Sequence, residues 1–373
     1  MNILVDGRPF IKNSAGISTV LRCLLVSWSG HHKEDTFFVV LPKEMHKSMD
    51  DYKFPENVRW IKAKAGIFRY LPNLVYLISM VPIFIRRYKI DAYYSPVPTL
   101  PFFIPKRVVT IVEVNDVVNL EFAQTMTIEN KIVNALFFKR SIKKANVIWS
   151  ISKYTKERIE HYFPNRRCHN IFVGCAVDKD LYKKIEMTEA EVSEVKKHFG
   201  IKEKFILFVG SLEPRKNLPF LLSIMPDIYT SSGIQLVVVG AKGWKNSTIK
   251  EIVESNAFPK DSTVFCGYIS NEELVKLYNI ADCFVSPSLN EGFGLPQLEA
   301  FMCGCPVITA ANSAMIEVAD HKSGGCLIYG YDKKDWIQTI IEFVSKRPSV
   351  KPDEFAEYDW DQIVTNLRER ICL

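Results

Sequence analysis

The sequence predicts an α/β protein built of two Rossmann-like domains, each a parallel sheet covered by helices. Three observations carry this reading. The chain has 373 residues, whereas a single hydrophobic core seldom grows beyond about 250–300 residues. Strand-like apolar runs alternate with helix-like segments in both halves, the pattern of parallel strands joined by crossover helices. Hydrophobic residues make up 47% of the chain, enough to fill two cores.

In the first half, Ile3–Val5, Phe37–Leu41, Ala92–Tyr94, Val108–Val112 and Val147–Ser150 read as strands. In the second half, Phe205–Val209, Leu236–Val239, Val264–Cys266, Cys283–Val285 and Val307–Thr309 do. All are short runs rich in Val, Ile, Leu and Phe, as strands buried on both faces require. Helices are expected over Ile17–Ser27, Ile128–Lys144, Tyr154–Tyr162, Leu218–Tyr229, Asn271–Tyr278 and Pro296–Met302. The polar stretch Glu186–Lys204 reads as a linker with a short helix. It puts the boundary between a domain over 1–190 and a second over 191–355.

Net charge is +6 and the isoelectric point is near 8.7. That mild basicity suits anionic ligands or an anionic membrane face. It is too weak, without a dense basic run, to indicate nucleic acid. The nine cysteines are Cys23, Cys168, Cys175, Cys266, Cys283, Cys303, Cys305, Cys326 and Cys372. With no Cys-x-x-Cys pair and mostly apolar contexts, they read as reduced, buried thiols of a cytoplasmic protein. Cys303 and Cys305 lack a nearby His or second Cys pair, and no histidine has metal-ligand spacing, so no metal site is expected.

The N-terminus reads as a first strand rather than a leader. The longest apolar run, Leu71–Ile85, contains Pro72 and Pro82 and is bracketed by Arg69 and by Arg86, Arg87 and Lys89. It is short for a membrane span. Two readings stand for it: a buried helix of the first domain, or a membrane-facing element with basic flanks on anionic lipid.

The most informative stretch runs from Glu291 through Gly292, Phe293, Gly294, Leu295 and Pro296 to Glu299. It follows the apolar run Cys283–Pro287, so Glu291 belongs to a loop at a strand's C-terminal end. Pro296 suits the first turn of a helix, which has no use for its missing N–H. Backbone N–H groups there point toward an anion. Glu299 projects about two turns on, so the pair can hold hydroxyls at opposite ends of one anionic ligand.

A second cluster, Gly210-Ser211-Leu-Glu-Pro-Arg215-Lys216-Asn217, follows the strand Phe205–Val209 and precedes a helix. Two adjacent cations at that position make a diphosphate site: Arg forks onto two oxygens, and Lys adds a movable point charge. Near the N-terminus, Asp6-Gly-Arg-Pro-Phe10 leads to Ser14-Ala-Gly16 and a helix. Gly16 would let backbone approach a ligand closely; an ordinary structural turn is the equal alternative.

Together these motifs resemble the signature of the family 4 retaining nucleotide-sugar glycosyltransferases, of the GT-B fold, and in particular bacterial mannosyltransferase-like group 1 members. The resemblance covers nearly the whole chain and is strongest from Phe205 to Ala310. It implies two Rossmann-like domains with a cleft between them, and a last helix over 356–373 that returns to the first domain. The first domain would then handle the acceptor and the second the donor. It also implies transfer of a hexose from a nucleotide diphosphate sugar, GDP-mannose first, with no metal and no cofactor beyond that donor. The acceptor implied is a hydroxyl on a glycan or lipid-linked oligosaccharide of a surface polysaccharide, with peripheral contact at the inner face of the cytoplasmic membrane.

The resemblance also implies roles. Arg215 and Lys216 clamp the phosphates, Glu291 holds the sugar and Glu299 the ribose. Amides around Phe293, Gly294 and Leu295 position sugar and phosphate. The Gly16 loop faces the donor phosphates or the acceptor. Tyr268 and Ile269 lie near the base or simply pack. Two departures stand out. Some relatives carry an Arg where this chain has Ser211. Where many carry His-Asp, this chain has Val112-Glu113, or Asn115-Asp116 if the alignment slips. A donor lacking a 6-hydroxyl would need no His there. Two other readings remain open: a sugar-nucleotide epimerase of the same fold, and a non-catalytic partner of another transferase.

Overall fold

The computed structural model describes residues 1–11, 16–49, 52–62, 72–121, 128–166, 171–240, 247–256 and 258–372. Ser14, Ala15, Arg69, Leu71 and Cys168 lie outside them. The chain divides into two compact units, Met1–Ala176 with Tyr358–Leu373, and Val177–Glu357.

Among the described residues the first unit holds seven strands: β1 (Asn2–Asp6), β2 (Thr36–Leu41), β3 (Val58–Lys62), β4 (Ala92–Ser95), β5 (Val109–Val114), β6 (Val147–Ser150) and β7 (Ile171–Val173). Their order is β3-β2-β1-β4-β5-β6-β7, and every pairing is parallel. The order reverses between β1 and β4, which makes their C-terminal ends a topological switch point. Helix Asn73–Arg87 buries Tyr76, Leu77, Val81, Phe84 and Ile85 in the core beneath this sheet. Its other face leaves Val75 and Ile83 exposed. Among the described residues no helix is long and apolar enough to cross a membrane.

The last helix, Trp360–Cys372, belongs to this unit and packs against Ile17–His31. Ser27 donates to Asp361, and Arg368 donates to the buried Asp35 at 2.7 Å.

The second unit holds β8 (Phe205–Val209), β9 (Gln235–Val239), β10 (Thr263–Gly267), β11 (Cys283–Ser286), β12 (Val307–Ala310) and β13 (Gly325–Ile328). The order is β10-β9-β8-β11-β12-β13, again all parallel. Here the switch point lies between β8 and β11. Leu218–Ser232 and Lys333–Lys346 supply much of the core on one face, with Leu221, Met225, Trp336 and Ile340 fully buried. The polar stretch Glu186–Lys204, read as a linker with a short helix, carries Glu189–Phe199, a helix of three turns. Its start is fixed by a capping box of Thr188 and Glu191 and its end by Gly200 in the left-handed conformation, so local chemistry sets both termini.

Backbone packing at the C-terminal ends of β8 and β9 is close. A Cβ on Gly240 would fall 1.9 Å from the Gly210 carbonyl oxygen, so only glycine fits there. This contact holds the loop that carries Arg215 and Lys216 close to the sheet.

Candidate active site

Two loops meet at the switch point of the second unit. The loop after β8 contains a short 3₁₀ turn, Pro214–Lys216, and ends at Asn217, which is left-handed (φ 55°) and starts helix Leu218–Ser232. The loop after β11 carries Glu291. The Leu289 N–H donates to the Arg215 carbonyl at 2.8 Å, which ties the loops together through backbone.

Side chains complete the junction. Arg215 Nη1 donates to Glu291 Oε2 at 2.7 Å and to the Asn290 carbonyl at 2.6 Å. Lys216 Nζ donates to Glu291 Oε1 at 2.6 Å. All three side chains are largely buried, at 16% (Arg215), 13% (Lys216) and 10% (Glu291) exposure. Burial alone would push the Glu291 carboxyl up. The charges of Lys216 and Arg215, with hydrogen bonds from Lys216 and Ser288, outweigh it and hold the group at about 2. Glu291 is therefore a carboxylate at any physiological pH.

A ring of hydrogen bonds that the sequence reading did not identify fixes this carboxylate. Ser288 Oγ donates to Glu291 Oε1 at 2.8 Å, and the Glu291 N–H donates to Ser313 Oγ at 2.9 Å. Ser313 Oγ in turn donates to Asn312 Oδ1. The Asn312 amide and the Tyr331 hydroxyl both donate to the Ser288 carbonyl, at 3.1 and 2.8 Å. Tyr331 is itself seated by stacking on Trp336. Ser313 is left-handed at φ 48°, a conformation that costs a side-chain-bearing residue about 1 kcal/mol or more. Such strain beside a charged cluster marks a position whose geometry is held by its surroundings.

From Glu291 the chain passes through Gly292 and the buried Phe293 to Gly294, at φ 101°. Gly294 starts helix Leu295–Met302 without a side-chain cap, and Pro296 occupies its first turn. The helix N-terminus thus carries the partial positive charge of its first amides. Just over one turn in, Glu299 accepts from the buried Tyr278 hydroxyl at 3.0 Å. Burial lifts its carboxyl to about 7, against the downward pull of hydrogen bonds from Tyr278 and Tyr182 and the charge of Lys216. Tyr278 is fully buried in the core, and its hydroxyl also serves Glu299.

The structure therefore brings Arg215, Lys216, Glu291 and the start of the Glu299 helix together, with Ser211 and Asn217 in the same β8 loop. Tyr268 and Ile269 lie elsewhere in the unit, at the end of edge strand β10. That strand is two strands from β8, about 10 Å across the sheet. Tyr268 is 63% exposed. Gly16 lies in the first unit, at φ 95°, as the start of helix Ile17–His31. In that unit Val112 and Glu113 are both fully buried on β5, and the Tyr94 hydroxyl donates to Glu113.

Residues 191–359 match the family described as Glycosyl transferases group 1. An uncharacterized glycosyltransferase of Methanocaldococcus jannaschii is 27% identical over 63% of this chain and 62% of its own length. The O-antigen chain mannosyltransferase B of Escherichia coli is 31% identical over 48% of this chain and 46% of its own. The chain thus spans less than two thirds of these relatives. The sucrose-phosphate synthase of Thermosynechococcus elongatus shares the fold over 100% of this chain and 94% of its own, with a TM-score of 0.72 at 17% identity. Two parallel sheets, charged loops meeting at the second sheet's switch point, and a family match over the unit that holds them lead to one assignment: residues 191–359 belong to the group 1 glycosyltransferase family, and the chain has the GT-B fold.

Proposed function

We propose that the protein transfers a hexose, with retention of configuration and without a metal, from a nucleotide diphosphate sugar to a hydroxyl acceptor. The observation that carries this is the convergence of Arg215, Lys216 and Glu291 at the carboxyl ends of β8 and β11. Two preorganised cations and a helix start meet the need of a leaving diphosphate, whose negative charge grows in the transition state. Glu291, held ionised, would accept hydrogen bonds from the sugar and support the electron-poor anomeric carbon. Glu299 would accept from the ribose. Arg215 and Lys216 both donate to Glu291, so donor binding would redistribute hydrogen bonds already formed rather than assemble them.

GDP-mannose is the favoured donor, since a mannosyltransferase is among the relatives at 31% identity; UDP-hexoses are next. The acceptor follows by the same analogy: a glycan or lipid-linked oligosaccharide of surface polysaccharide, handled at the inner face of the membrane. In this reading the first unit serves the acceptor, and Gly16 and the buried Val112-Glu113 pair stand on that side. A thermal-shift screen against GDP, UDP, ADP and their sugar conjugates tests the donor. A selective rise with one nucleotide family is expected. No rise with any of them, together with no transfer from any conjugate, would overturn the reading.

A further inference from the structure

We propose that the first unit binds a small soluble ligand bearing two or more phosphate groups, in a cavity on the N-terminal side of its sheet. The cavity has a volume of about 560 Å³, within the roughly 300–1,000 Å³ of small-molecule sites. Asn2 and Thr36, paired at the starts of β1 and β2, line it. So do Phe38 and Arg59, paired across β2 and β3. These strand ends are opposite to those at the switch point between β1 and β4. None of the residues belongs to the site around Glu291, so this site stands or falls apart from the donor reading.

Exposed cations are ordinary one at a time. Here Arg59, Arg87 and Lys89 line one cavity, and no carboxylate lines it with them. Among the described residues none of the three side chains has an ion-pair partner. Asp91, two residues past Lys89, accepts the Asn2 backbone N–H. Aromatic rings hold the two guanidiniums where acids commonly would. Phe38 and Tyr88 stack with their centroids 4.8 Å apart. Arg59 lies 5.8 Å over Phe38, and Arg87 lies 5.6 Å over Tyr88. A ring face steadies a guanidinium without neutralising it and without using its N–H donors. Both forks therefore stay available to phosphate oxygens.

Lys89 adds an independent observation. Helix Asn73–Arg87 ends in a Schellman arrangement, with Tyr88 as its cap and the Ile90 N–H donating to the Ile85 carbonyl at 3.0 Å. That ending puts Lys89 in the left-handed conformation, at φ 50°, where glycine is the usual residue. The Asn2 side-chain amide fixes the turn by donating to the Tyr88 and Lys89 carbonyls. Glycine would end the helix at lower cost. What lysine adds is a third cation on the cavity, and strain kept for such a gain is a mark of binding sites. The lining also says which anion fits. Phe38 is buried, and Trp60, Ile61 and Tyr88 are half-buried, so nothing apolar protrudes for a bilayer to take up. Three cations around one cavity match several charges on one small molecule.

The test is calorimetry of the whole protein with inorganic pyrophosphate, in wild type and in Lys216→Gln, which weakens the donor clamp's share of the binding. In the Lys216→Gln background a Kd below about 1 mM is expected, rising with salt. Adding Arg59→Gln and Arg87→Gln should lower that affinity about tenfold or more. Lys89→Gly should lower it severalfold while holding or raising the melting temperature, a combination that a merely structural lysine would not give. If the donor reading fails, Lys216→Gln binds pyrophosphate as wild type does, and the cavity variants still lose it. The cavity is refuted as an anion site if pyrophosphate ignores the Lys216→Gln protein, or binds it equally well with Arg59 and Arg87 replaced. Phosphatidylglycerol vesicles that bind through these cations, with no response to soluble pyrophosphate, would give them to a lipid headgroup and equally overturn it.

Discussion

Lys216 donates to Glu291 across 2.6 Å although 75 positions separate them in the chain. Arg215 grips the other oxygen of the same carboxylate. The two cations read as a phosphate clamp are thus already half-neutralised by the residue read as the sugar's partner. Truncating Glu291 to alanine would remove the carboxylate that both largely buried cations share, a loss typically worth about 3–5 kcal/mol of stability. Glu291→Gln is the cleaner probe. We expect it to lower kcat by about a hundredfold or more, as removal of one transition-state contact does. Binding of the free nucleoside diphosphate should hold or tighten, since an anion that competes for Arg215 and Lys216 is gone. Calorimetry with GDP and UDP checks the second half. A variant that loses nucleotide affinity in proportion to kcat would show Glu291 to be a structural partner of the clamp and no more.

Ser313 offers a way to separate position from stability. Its hydroxyl accepts the Glu291 N–H, yet its backbone is left-handed. Ser313→Gly relieves that backbone while deleting the hydroxyl. We predict an unchanged or higher melting temperature together with a kcat about tenfold lower and a smaller change in donor KM. Ser313→Thr, which keeps the hydroxyl, should recover part of kcat. If Ser313→Gly is both stable and fully active, the ring around Glu291 does not position it for the reaction.

Most of the two sheets was legible because central parallel strands are continuous apolar runs. Phe205–Val209 was read with the bounds the structure gives. The strands that escaped, β3, β7 and β13, lie at or next to sheet edges and carry short or mixed sequences, such as Val-Arg-Trp-Ile-Lys in β3. Helix Glu189–Phe199 falls in the polar stretch read as a linker with a short helix, and Thr188 and Glu191 spell the capping box that starts it. Of the site, Arg215, Lys216 and Glu291 could be found from order and spacing along the chain. Ser288, Asn312, Ser313 and Tyr331 could not, since their bearing on Glu291 arises only when β11 and β12 pair and Tyr331 stacks on Trp336.

Glu299 predicts a pH dependence of nucleotide binding. Burial raises its carboxyl to about 7. Hydroxyls donate more strongly to a carboxylate than to a neutral acid. Affinity for the nucleotide should therefore rise severalfold from about pH 6 to pH 8 as Glu299 loses its proton, and Glu299→Gln should flatten that rise. The slope can be read from Kd at fixed ionic strength. An identical slope in Glu299→Gln would assign the titration to another group.

The last prediction concerns Glu113, the departure from the His-Asp pattern. The strand expected to stop at Val112 continues through Val114, so this carboxyl lies inside β5, fully buried and bonded by Tyr94. Burial raises it to about 8, while hydrogen bonds from Tyr94 and Asn115 pull the other way. Between the unfolded value near 4.5 and about 8, the folded chain keeps a proton that the unfolded chain has lost. Stability must then fall with rising pH across that window, by up to about 1.4 kcal/mol per unit from this group alone. Glu113→Gln keeps the shape and the neutral charge of the protonated acid. It should leave stability nearly unchanged at about pH 5 and raise it relative to wild type at about pH 8.5, as measured by denaturant unfolding at both pH values. If the variant is destabilised equally at both, Glu113 is held as a carboxylate inside β5.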